Sequence, residues 1–178
     1  LLFTMMSILC LAASTSQAKG PTTAAYTPDG KVEFMLSTEK ILIAFTDGTS
    51  FLEKQQILAS EKSILQLKAE DVLPSPDVTM AKIALQNGET LDEILARLES
   101  NSQIRYANPF LVYKDGTNQG IQDRVIVRLK SRKDYNQISV AVKRFNLTVA
   151  EKNEFDPLMY VLQTSKQTPG NALDVANA

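Results

Sequence analysis

Few residues in this chain could carry chemistry. It has no histidine and one cysteine, Cys10. Without imidazole there is no Ser-His-Asp or Cys-His catalysis, and the commonest ligand of zinc and non-haem iron is missing. The acidic candidates are Asp47-Gly48, Asp115-Gly116, and Asp92-Glu93 with Glu99. Neither Asp-Gly pair has the Asp-x-Asp-x-Asp-Gly spacing with a distal glutamate that a calcium loop needs, so turn chemistry explains both. Helix capping and a solvated face account for Asp92, Glu93 and Glu99. Lys130-Ser131-Arg132-Lys133 is a short basic run between an expected strand and an expected helix, and reads as a solvated turn rather than an anion site. Asn146-Leu147-Thr148 matches a glycosylation sequon inside an expected strand. Tyr106, Phe110 and Tyr113 could form an exposed aromatic strip, but core and edge packing is the simpler reading. No general base, nucleophile pair or metal cluster emerges, so no catalytic, cofactor-binding or metal-ligating residue is assigned and no cofactor is expected.

The elements around these residues are those of an ordinary globular chain. Its 178 residues suit one domain or two small ones, and 44% hydrophobic with 22% charged residues suffices for a packed core. Nineteen Lys and Arg balance twenty Asp and Glu, which argues against a basic surface for nucleic acid, and no like-charge block suggests a membrane tether. The opening stretch runs apolar from Leu1 to Ala13 and then turns small and polar. It is too short for a membrane span, which takes about 20 apolar residues. Ser16-Gln17-Ala18 has the small residues signal peptidase requires, so residues 1–18 are expected to be a signal peptide cut between Ala18 and Lys19. Leu9 before Cys10 disfavours a lipoprotein anchor. The expected location is therefore secreted or in a bacterial envelope or periplasm, with no stable membrane anchor after cleavage. The missing initiator methionine and basic n-region mark the sequence as an expected fragment at this end.

After an extended leader (19–38) with a Pro28-Asp29-Gly30 turn and a hairpin or added edge strand, two similar units follow. The first (39–114) begins with the strand-like "ILIAF", then a helix from about Ser50 to Ser60, and then "SILQLKAEDVL", expected to be a strand through Ile64 and Leu67. "TMAKIAL" follows, then a helix with Leu91, Ile94, Leu95 and Leu98 on one face behind a Thr90/Glu93 capping box. A last strand passes Ile104 and Tyr106, with Pro109 limiting it to an edge or a departing tail. A polar linker (115–122) leads to a second unit (123–178). There "RVIVRLK" is a strand, and a helix capped by Asp134 carries Tyr135, Ile138, Val142 and Phe145. "LTVAEKNEF" and "LMYVLQT" are strands, and Thr168-Pro169 opens a final helix. The expected fold is α+β: two tandem ferredoxin-like β-α-β-β-α-β units with antiparallel sheets, the second lacking its last strand before Ala178.

"RVIVRLK" followed by "AVKRFNLTVAEKNEFDPLMYVLQTSKQTPGNALDVAN" resembles the N-terminal prodomains of secreted bacterial subtilisin-like serine peptidases. The match falls on Val149 to Asn153, on Tyr160 to Leu162, and on Gly170 to Asn177. Tyr106-Ala107-Asn108-Pro109-Phe110 is similar to the family's closing strand, and the leader resembles precursors from Bacteroides-like bacteria. The resemblance implies a propeptide that assists folding of a downstream catalytic domain in cis and inhibits it until cleaved. Its sheet would pack on two helices of that domain. The alternative is a non-catalytic interaction or adhesion module of a bacterial envelope protein.

Overall fold

The computed structural model describes residues 21–27, 30–68, 71, 77–86 and 88–178; the expected signal peptide, its cleavage site at Ala18-Lys19, and Cys10 lie outside them. The fold is α+β with two antiparallel sheets and four helices among the described residues.

The first sheet is organised by one long strand, β2 (Gly30–Phe45), which follows β1 (Thr22–Thr27) in a hairpin. β2 therefore runs through position 38, where the leader was expected to end. Its first part pairs with β1, and its second part pairs with β3 (Val78–Lys82). The opposite edge is taken along both parts by β4 (Ile104–Val112), which β5 (Asn118–Gly120) extends. Between the two parts, residues 37–40 of β2 bulge opposite Phe110 alone. The Ser37 hydroxyl accepts from the N–H groups of Glu39 (3.2 Å) and Lys40 (3.1 Å), which gives the bulged backbone partners.

Two helices cover one face of this sheet, and both start on complete capping boxes. In α1 (Phe51–Ala59) Ser50 pairs with Glu53, and in α2 (Leu91–Ser100) Thr90 pairs with Glu93. Leu91, Ile94 and Leu98 of α2 and Leu58 of α1 close a core with Ile41, Ile43, Phe45, Ile104 and Ala107. Thr90→Ala is expected to lower stability by about 1 kcal/mol in chemical denaturation, because the Glu93 N–H loses its acceptor and the Glu93 carboxylate loses the Thr90 hydroxyl. The Thr90 hydrogen bonds also hold the Glu93 carboxyl below its usual 4.5. A lowered carboxylate adds stability above its unfolded value, so part of the cap's contribution disappears as pH falls below 4.5 in the wild type.

The strand expected through Ile64 and Leu67 is reduced to a single bridge between Ile64 and Ile83. Side chains take the backbone groups a longer strand would use: Gln55 Nε2 donates to the Leu67 carbonyl (3.0 Å), and the Lys68 N–H donates to Asp71 (2.9 Å). With that remnant the order is β4-β2-β3-Ile64, a loosely matched ferredoxin-like sheet with an added hairpin.

The second sheet is smaller, with order β6 (Arg124–Arg128), β8 (Met159–Gln163), β7 (Thr148–Lys152). α3 (Tyr135–Phe145) packs Ile138, Val142 and Phe145 on Leu129, Leu147, Tyr160 and Leu162. α3 ends on Asn146 in the left-handed conformation, φ 52°. Two local expectations are corrected. Asp134 does not cap α3; its carboxylate turns back to the Ser131 N–H and hydroxyl, both at 3.0 Å, closing the preceding 3-10 turn. The last helix, α4 (Ala172–Asn177), starts at Ala172 behind Asn171 rather than at Thr168-Pro169. Gly170 has φ +79°, which a helix cannot continue through, and the Thr168 hydroxyl accepts from the Ser165 N–H instead.

Among the described residues no strand pairs with the outer edge of β6. The units meet through Phe34 and Leu111 of the first, packed with Ile121, Val125 and Ala172. The connection runs close over the first sheet at Gly120, where a Cβ would stand 2.8 Å from Leu42 Cδ2. Asn108 Nδ2 anchors it by donating to the Ile121 carbonyl (3.0 Å).

Candidate interaction surface

The two sheets present their helix-free faces differently. On the first sheet Leu42, Ala44, Val78, Tyr106 and Phe110 form a buried cluster there. On the second, Arg124, Ile126 and Arg128 alternate with the inward Val125 and Val127, and Ile126 is 69% exposed. Ile126 lies opposite Val161, and Arg128 opposite Met159, in the β6–β8 register. An edge with no strand partner among the described residues therefore borders a face with an apolar centre and arginines along its rim.

The β7–β8 turn fixes one end of this face. Asn153 Oδ1 accepts from the N–H groups of Phe155 and Asp156, each at 2.8 Å, and Asp156 Oδ1 accepts from Leu158 (3.0 Å). Arg128 Nε donates to Asp156 Oδ2 at 2.8 Å, and that bond holds the Asp156 carboxyl below its usual range. Phe155 stands on this braced turn 96% exposed.

A cavity of about 430 Å³ lies between the units, lined by Arg105, Tyr106, Asp123, Gln163, Lys166 and Asn171 among others. The buried Asp123 carboxylate accepts from Gln163 Nε2 (2.7 Å), while Arg105 Nε stays 3.8 Å away. Arg105 Nη1 reaches outward to Asp47 at 3.1 Å. Burial first, and then the Asp123 charge, push the Tyr106 hydroxyl up to about 12. Both causes favour the neutral phenol, so the folded state resists its ionisation. Tyr106 supports folding at neutral pH and loses that support as pH rises past 10 toward about 12. In an ultraviolet phenolate titration Tyr106→Phe should remove an ionisation step near pH 12.

The side chains singled out in the sequence do not gather into one site. Asp47 lies at a turn with Gly48 at φ +82°, facing Arg105. Asp115 accepts from the Thr117 N–H (2.9 Å) in the turn before β5. Glu93 belongs to the α2 cap, and Glu99 Oε1 accepts from the Ala107 N–H (3.4 Å), occupying part of the β4 edge. Asn146 donates to the Gln167 carbonyl (3.1 Å), so the sequon side chain is used inside the second unit. Tyr106 and Phe110 are buried; Tyr113 packs edge-on against Phe34 at 4.9 Å between ring centroids, so packing accounts for all three aromatics. Lys166 and Asn177 were invisible to sequence reasoning because their partners lie far away along the chain. The Asn153-x-x-Asp156 turn pattern was a local signal for the exposed Phe155.

No family model matches the chain, and no curated protein or solved structure matches it significantly.

Proposed function

We propose that this chain is the propeptide region of a secreted subtilisin-like serine endopeptidase, acting as intramolecular chaperone and inhibitor of a catalytic domain in cis. The observation that carries this reading is the second sheet's helix-free face, with Ile126 at 69% exposure between the exposed Arg124 and Arg128. A large apolar side chain held outward at the centre of a strand face, with arginines on either side, suits contact with a partner surface. The prodomain-like motifs lie in the same unit, with Tyr160–Leu162 on β8 and Gly170–Asn177 on α4 and its approach. In this reading the segment supplies binding surface, and the downstream domain supplies the chemistry.

The coding sequence beyond Ala178 tests the proposal. A further strand, then a domain carrying aspartate, histidine and serine motifs in that order, is the expected result. A stop codon, or an array of further β-rich modules, overturns it in favour of the envelope adhesion reading. In the full-length precursor, Ile126→Arg should leave the chain folded by circular dichroism while reducing the yield of active peptidase at least about tenfold.

A further inference from the structure

The two repeats can be compared element by element, and the comparison exposes a substitution. In the first repeat α2 seats Ile94 and Leu98 against Ile104 and Ala107, which border β2 on the edge away from β3. The corresponding helix of the second repeat is α4, and the corresponding edge is that of β6 away from β8. No described strand lies on that edge. Yet the apolar side of α4 is not bare: Ala172 is buried, and Leu173 and Val175 pack into a cluster with Phe34, Leu111 and Val125.

The groups that pack against α4 come from the first repeat, from β2 before its bulge and from the far end of β4. Two polar latches hold the same joint. The Asn177 side chain works as a short strand segment on the free edge of β1: its Oδ1 accepts from the Tyr26 N–H (3.1 Å), and its Nδ2 donates to the Ala24 carbonyl (2.6 Å). Lys166 Nζ donates to the Glu99 and Asn101 carbonyls, at 2.9 and 2.6 Å, at the C-terminal end of α2. A cation there satisfies carbonyls that the helix leaves without partners.

We propose that the first repeat is an internal scaffold for the second, with the β1–β2 hairpin and the end of β4 supplying the surface on which α4 packs. α4 has six residues, too few to hold a helix in water without tertiary packing. Away from this joint, the core of the second repeat is five buried side chains, Leu129, Ile138, Leu147, Tyr160 and Leu162. The duplication thus divides the labour: the first repeat buries both sheet faces and supports, and the second keeps its outer face free. This inference stands apart from the propeptide reading, because it concerns contacts within the chain.

Amide hydrogen exchange on the whole chain tests it, with the substitution placed only on the first repeat. Phe34 lies before the bulge and outside the α1–α2 core, so Phe34→Ser leaves that core its own contacts. The expected result is exchange at least roughly tenfold faster at α4 and β6, with α1 and α2 unchanged. Unchanged protection of α4 and β6, with faster exchange confined to the β1–β2 hairpin, overturns the proposal. If Phe34→Ser unfolds the whole chain, Ala25→Glu, which sets a charge at the margin of the same cluster, decides by the same readout.

Discussion

Phe45→Ala is expected to lower the unfolding free energy by about 3–5 kcal/mol, the cost of removing a large buried side chain and leaving its cavity. Phe45 is 0% exposed at the end of β2, among Ile41, Ile43, Ile94 and Ile104. Its neighbours come from three strands and two helices, so no single side-chain movement refills the space. Lys54 of α1 adds to the effect: its ammonium sits 5.4 Å from the Phe45 ring centroid, and Lys54 is only 3% exposed. Losing the ring removes an attraction for a buried cation as well as apolar contact. Urea denaturation measures the change; a loss under about 1 kcal/mol would mean that β2 is not the centre of the core.

Leu162→Ala is the matching change in the second repeat, with an expected loss of about 2–5 kcal/mol. Leu162 is 1% exposed on β8, opposite Val125 and Val149, and packs with Ile138, Leu147 and Tyr160. The size of the loss is similar, but its distribution should differ. In Leu162→Ala, exchange should quicken first at β7, β8 and α3, because these sit farthest from the joint at Phe34 and Leu111. Phe45→Ala should quicken exchange in both repeats, since the second rests on the first. Equal, separate effects in the two variants would mean that the repeats fold as independent bodies.

Local pattern made much of this fold legible. The Thr90/Glu93 capping box and the Leu91, Ile94, Leu98 spacing located α2, because caps and helical faces are set within four or five residues. The β-branched runs of β2 and β6 located strands for the same reason. The second strand of the first repeat failed at this level. Gln55 and Asp71 claim the backbone of Leu67 and Lys68, and such a claim cannot be read from alternation. Asp134 had the residue type of a helix cap, but a serine three residues earlier was the nearer partner.

The candidate surface divides in the same way. Sequence by itself determined that the chain has no imidazole, that Asp47, Asp115 and Glu93 sit at turns and a cap, and that two α+β units follow one another. Side-chain chemistry and short-range periodicity fix those properties. Only the tertiary structure decided which sheet face is buried and which stays open, because Tyr106 and Ile126 occupy similar alternating patterns and differ only in what packs over them. It also decided that Asn177 reaches Ala24 and Tyr26 across some 150 residues of chain. Contacts of that range depend on how whole elements dock, and no local pattern encodes the docking.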